Sequence, residues 1–175
     1  DLSGVPNGTY PWGESMRMKL RSSIATVAVV FGLAVAQAKS SAQTPGHVMM
    51  NAADMKWGPA PPGVPAGGQV SVLSGDPGKP GPFILAAKFP DGYIVRPHWH
   101  PTAENITVLS GSLLVGTGDK YDEAAMKPLN QGGFGTMPMK QNHFVRAKGA
   151  TTITITSTGP FEITYVDPKD DPRKK

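Results

Sequence analysis

The chain has 175 residues, of which 21 are glycine and 18 proline, and carries a formal net charge of +4. That length suits one hydrophobic core, and the abundance of turn-formers excludes a helix bundle in favour of short strands and tight loops. There is no cysteine, which excludes disulfides, thiolate ligands and a cysteine nucleophile, so any metal site must use N and O donors.

The positive charge is a tail effect. From Lys39 onward 14 Lys and Arg stand against 11 Asp and Glu, 14 − 11 = +3, and Arg173, Lys174 and Lys175 alone contribute three positive charges. The body is near neutral, with no basic stripe for nucleic acid.

In chain order, residues 1–15 precede the first methionine and are read as an upstream extension. Residues 16–38 read as a secretory signal: Arg17, Lys19 and Arg21 are basic, 24–36 is uncharged and largely apolar, and Ala36-Gln37-Ala38 is a small-x-small cleavage pattern. The apolar run is shorter than the roughly 20 residues that span a bilayer. The expectation is a secreted or periplasmic protein without a stable membrane anchor after cleavage. Residues 39–46 form a polar lead-in, 47–167 a single domain, and 168–175 a charged, frayed tail.

Within the domain, short extended segments alternate with Pro/Gly punctuation. Strands are expected at 48–51, 69–74, 83–89, 93–98, 105–110, 112–116, 133–137, 143–147, 151–157 and 161–166. Segment 151–157 (TTITITS) alternates with period two, the mark of a half-buried strand. A Pro/Gly-rich loop occupies 57–68, a hairpin loop 75–81, and one short helix-like stretch 121–126. The fold class is all-β, a sandwich or barrel.

The chemistry concentrates in one run, Gly92-x5-His98-x-His100-x3-Glu104-x6-Gly111, followed by His143. In a strand, alternate side chains share a face, so His98 and His100 point the same way about 7 Å apart. Pro101-Thr102-Ala103 lets the chain turn so that Glu104 re-enters at the start of the next strand, and Gly111 suits the tight turn that closes it. His143 must arrive from a distant strand. Three imidazoles and a carboxylate suit a first-row divalent ion and leave coordination positions open for other molecules, as in catalytic sites. His47, outside the pattern, reads as a surface residue.

This run resembles the first motif of the cupin superfamily at every defining position. The second, Gly-x5-Pro-x-Gly-x2-His-x3-Asn, is matched by Gly132, Pro138 and His143, with Lys140 where glycine is usual and Ala147 where asparagine is usual. The resemblance spans 69–166 and implies a cupin jelly-roll (double-stranded β-helix) barrel, often a homodimer. It also implies one divalent transition metal (copper, iron or manganese) held by His98, His100, Glu104 and His143.

Around the site, Arg96 shares strand parity with the two histidines and faces either the cavity or solvent, depending on whether Pro97 breaks the register. Ile106 and Val108 follow Glu104 at period two and form an apolar wall, with Phe134, Met137, Phe144 and Val145 as further pocket candidates. Trp99 has the opposite parity and packs as core or interface. Met137 and Met139 are core fillers or soft ligands.

The functional expectation is an exported metal-dependent oxidoreductase acting with dioxygen or peroxide on a small organic or carbohydrate substrate, with Glu104 as a catalytic base. Resembling cupins include dioxygenases and a secreted copper-dependent type that cleaves cellulose oxidatively. The alternatives are a redox-neutral isomerase or lyase and a non-catalytic metal-dependent binding module.

Overall fold

The computed structural model describes residues 46–175. The upstream extension, the signal segment and all but Gly46 of the lead-in lie outside the described residues. Among the described residues no helix is long and apolar enough to cross a membrane.

The all-β expectation holds. Nine strands are present among the described residues: β1 Gly58–Pro59, β2 Gln69–Ser74, β3 Gly81–Phe89, β4 Ile94–Trp99, β5 Glu104–Thr117, β6 Lys127–Asn130, β7 Phe134–Met137, β8 His143–Gly159 and β9 Thr164–Tyr165. All their pairings are antiparallel, in the order β1-β2-β3-β8-β4-β9, with β5 bound to β8 and carrying β6 and β7.

Two long strands organise this sheet, where four short ones are expected from the sequence. Segments 105–110 and 112–116 are one strand, β5, and 143–147 and 151–157 are both within β8. Gly111 does not end β5. It takes φ +77 inside it, where the β5–β8 register shifts on either side of Ser110. Ladder bonding therefore continues around a bend that a residue with a Cβ would resist. A Cβ at Gly111 would lie 2.5 Å from the Ala150 carbonyl oxygen.

Period two sets the core. From β3, Phe83, Leu85 and Ala87 are buried, and opposite them so are Ile153 and Ile155 of β8. Val145, Ile106, Val108 and Leu113 join the same cluster. The outer face of β8 carries Thr152, Thr154 and Thr156, more exposed than the isoleucines between them.

Three further expectations are corrected. Residues 48–51 form no strand; they are exposed and lead into a 3-10 turn at Ala52–Asp54. The helix-like 121–126 is a single 3-10 turn, Glu123–Ala125, capped by the Asp122 carboxylate, which accepts from the Ala124 N–H. The tail is not frayed: it makes 3-10 turns at Pro168–Asp170 and Pro172–Lys174. Asp171 is buried there, held below the usual carboxylate range chiefly by its bond to Arg173, whose guanidinium also donates to the Ile163 carbonyl at 3.1 Å.

Candidate metal centre

β4 and β8 are paired so that His98 lies directly opposite His143. His100 follows β4 one residue beyond its end, with half-buried Trp99 between two buried histidines, as alternation requires. Glu104 is the first residue of β5. The turn at 101–103 is tied to β8: Thr102 Oγ1 donates to the Thr158 carbonyl at 2.8 Å, and buried Ser157 donates to the Ala103 carbonyl at 2.6 Å. These bonds bring Glu104 back toward the histidines. The four expected ligands are thus brought together, each 5% exposed or less.

Their orientation is set by the backbone. Nδ1 of His98 is 2.7 Å from the Arg96 carbonyl, Nδ1 of His100 is 2.7 Å from that of Glu162, and Nδ1 of His143 is 3.0 Å from that of Gln141. A carbonyl only accepts, so each Nδ1 donates, and in a neutral ring that leaves Nε2 as a lone pair. The ligand atoms of His98, His100 and His143 all lie within 4.8 Å of one another. Phe161 stacks on the His100 ring, centroids 4.3 Å apart and 16° from parallel, so that ring is held from a second side.

The donor set fits a cation. Oε2 of Glu104 is 3.2 Å from His143 Nε2 and 3.7 Å from His100 Nε2, yet His143 Nε2 has no hydrogen-bond partner within the described residues. Acceptors confronting acceptors in a buried site are costly unless a positive centre stands among them. Burial drives His98 well below the ordinary imidazole value, with the neighbouring His143 and His100 adding to it. Burial also lowers His100. Both effects favour the neutral ring that a metal needs. The residues present can hold one divalent ion, with only N and O donors.

Beside the donors is a cavity of about 80 Å³ bordered by His98, His100, His143 and Glu104 and otherwise walled by carbon. The expected pocket residues divide. Ile106 is on its wall, and so is Val145. Val108 is buried in the core but does not reach the cavity. Met137, opposite Glu104 in the β5–β7 ladder, borders a second small hollow on the His143 side. Other candidates lie away from the cavity. Phe134 is 62% exposed, on the outer face across from Thr107. Of the two positions open to Arg96, the structure has the solvent one: it points outward over the Tyr121 ring, because the β4–β8 register shifts between Val95 and His98. Only its carbonyl serves the site. Phe144 likewise packs away from the cavity, against Tyr121. His47 is exposed, as expected.

The rest of the wall was not expected from the sequence: Val95, Leu113, Ile153 and Ile155 line it from the strands, and Val64, Phe89, Phe161 and Ile163 complete it. Phe161 and Ile163 were in an expected strand, but nothing local shows which way a strand end turns. Val64 lies in the Pro/Gly loop, where periodicity carries no signal.

The sequence pattern of one family, "Domain of unknown function (DUF4437)", matches residues 35–164. The chain belongs to this family. No curated protein matches it in sequence. Among solved structures, this DUF4437 chain is similar to the polyketide cyclase RemF from Streptomyces resistomycificus, with 17% identity, TM-score 0.59, and 72% of this chain and 89% of that one covered. A candidate acetylacetone dioxygenase from Methylibium petroleiphilum PM1 gives 18% identity and TM-score 0.57 over 73% and 86% of the two chains. An RmlC-like cupin from Shewanella frigidimarina NCIMB 400 gives 14% identity and TM-score 0.50 over 65% and 91%. At such identities the likeness is one of fold, and the fold is the cupin double-stranded β-helix.

Proposed function

We propose that this DUF4437 protein is an exported, mononuclear metal-dependent oxidoreductase that acts with dioxygen or peroxide on a small, carbon-rich carbonyl compound. The observation that carries the reading is the convergence of three Nε2 lone pairs and a carboxylate on the wall of a cavity otherwise made of carbon. Such a wall offers no partners for the hydroxyls of a saccharide, whose burial without hydrogen bonds is costly. A small diketone needs few. The similarity in fold to a candidate acetylacetone dioxygenase supports the same substrate class. Export follows from the basic, apolar and small-residue pattern at 16–38.

His98, His100, Glu104 and His143 would hold the ion, which when bound supplies Lewis acidity and, if redox-active, electron transfer to the oxidant. The chain's own contribution is positional. Three backbone carbonyls lock the imidazoles with Nε2 inward, so little reorganisation is needed as the site fills. Glu104 is the one carboxylate on the cavity wall. It is therefore the group placed to accept the acidic proton of an enolisable substrate. The apolar wall excludes water and keeps the polar end of the substrate at the histidines.

The test is metal analysis and EPR of protein loaded in its own compartment, followed by oxygen-electrode assays with pentane-2,4-dione. One ion per chain and substrate-dependent oxygen uptake support the proposal. Product formation without uptake would make the protein a redox-neutral isomerase or lyase, and binding without product a metal-dependent binding module. Less than one ion per chain under all loading conditions would overturn it.

A further inference from the structure

The Pro/Gly-rich loop at 60–68 has a half-buried tip. Gly63, Val64 and Pro65 are half-buried, whereas Pro61, Pro62, Ala66 and Gly67 on either side are exposed. Val64 lines the cavity that also holds the four site residues. The loop is closed at its base by Ala60 N–H to the Gly68 carbonyl at 3.0 Å and folded at its tip by Val64 N–H to the Pro61 carbonyl at 3.0 Å.

Two buried tyrosines hold the tip. Tyr165 donates its phenol to the Gly63 carbonyl at 3.0 Å, and Tyr93 donates to the Pro65 carbonyl. The carbonyls immediately before and after Val64 are thus both pinned to the barrel. Burial pushes the Tyr93 phenol up to about 12 and raises Tyr165 as well, so both keep the proton they donate. Gly63 rests on Ile163, another cavity residue: a Cβ there would lie 2.8 Å from Ile163 Cγ2. Tyr93 in turn stacks on cavity residue Phe89 at 4.7 Å. A loop with no ladder of its own is thereby fixed at one point, and that point is a branched apolar side chain facing the site.

We propose that Val64 sets the size of the molecule the cavity accepts, with Tyr93 and Tyr165 as the positioning residues that hold it there. The proposal rests on the reading that this cavity receives the substrate. Removing the two Val64 methyl groups lengthens the cavity at the end opposed by the loop. Adding a ring there closes it. The tyrosines act through Val64, so loosening one blurs size discrimination without altering the donors.

The experiment titrates benzene and n-butylbenzene into the full chain and its Val64→Ala, Val64→Phe and Tyr165→Phe variants, with Kd and exchange rates read by ligand-observed NMR. Circular dichroism confirms that each variant is folded. In the parent, benzene should bind in preference to n-butylbenzene. Val64→Ala should tighten n-butylbenzene about tenfold, the worth of two methyl-sized contacts. Val64→Phe should abolish benzene binding. Tyr165→Phe should speed benzene exchange and reduce the preference while leaving metal content unchanged. An unaltered size preference in Val64→Ala, or no hydrocarbon binding in either the parent or Val64→Ala, overturns the proposal; if Val64→Phe fails to fold, Val64→Ala alone decides. Metal content and oxygen uptake are measured on the same samples. A size ladder that responds to Val64 without metal or uptake refutes the oxidoreductase and spares the role of Val64, and the converse does the opposite.

Discussion

Replacing Glu104 with glutamine distinguishes a cation site from an ordinary buried polar cluster, because it should move two measurements in opposite directions. Each Nδ1 is bonded to a backbone carbonyl, so with neutral rings Oε2 of Glu104 confronts lone pairs at 3.2 Å on His143 and 3.7 Å on His100. A buried polar group without a partner costs about 1–3 kcal/mol. In Glu104→Gln the amide nitrogen can take the place of Oε2 and donate to His143 Nε2, replacing that cost with a hydrogen bond. The metal-free variant should gain about 1–2 kcal/mol, a rise in Tm of about 3–8 °C for a domain of this size. Metal binding should respond the other way. Mutating groups that merely support ligands costs about 10–100-fold in affinity, so losing a charged ligand should cost about hundredfold or more. That is about 2.7 kcal/mol, lost from the stabilisation that added metal confers. Differential scanning calorimetry with and without manganese reads both effects. A metal-free variant that melts lower than the parent and keeps the full metal-induced rise would show that the carboxylate is not there to meet a cation.

Three further outcomes follow from particular contacts. Lys140 holds φ +58, a conformation costing about 1–2 kcal/mol for a residue with a Cβ; after the backbone entropy of glycine is deducted, Lys140→Gly should stabilise by up to about 1 kcal/mol, and a lowered urea midpoint would refute this. A Cβ at Gly116 would lie 2.2 Å from the buried Phe144 ring, so Gly116→Ala should cost about 1–3 kcal/mol through overpacking, and should cost less when combined with Phe144→Leu in a double-mutant cycle. His98 and His100 are lowered in the fold relative to the unfolded chain, so as pH falls the unfolded state takes up protons first; metal-free stability should be level above about 6.5 and decline below it. Urea midpoints that do not fall between pH 7 and pH 5.5 would contradict that sign.

The candidate donors were legible in the sequence because local geometry brings most of them together. His98 and His100 share a face by strand parity, and a three-residue turn returns Glu104 to the same side. Parity alone left Arg96, two residues earlier, open between cavity and solvent, and the register shift between Val95 and His98 decides for solvent. That shift is useful to the site: it leaves the Arg96 carbonyl free of the β4–β8 ladder to orient His98, and the Gln141 carbonyl orients His143 at the same i−2 separation. Lys140 shows the opposite case, a departure from motif that the structure explains. Its left-handed backbone is the reason glycine is usual there, and its N–H donates to the His100 carbonyl at 2.8 Å. What remained illegible depends on contacts distant in the chain. The Glu162 carbonyl reaches His100 across 62 positions, and Tyr165 reaches Gly63 across 102. Donor identity is therefore written in a short motif and His143, and two of the imidazoles are oriented by carbonyls two residues before them, while the orientation of His100 and the shape of the cavity depend on segments at 63–65 and 161–165 that the motif does not contain. Two chains sharing the run from Gly92 to Gly111 and His143 can present the same donors and still differ in the cavity beside them, so the molecules that cavity admits should vary with those two segments.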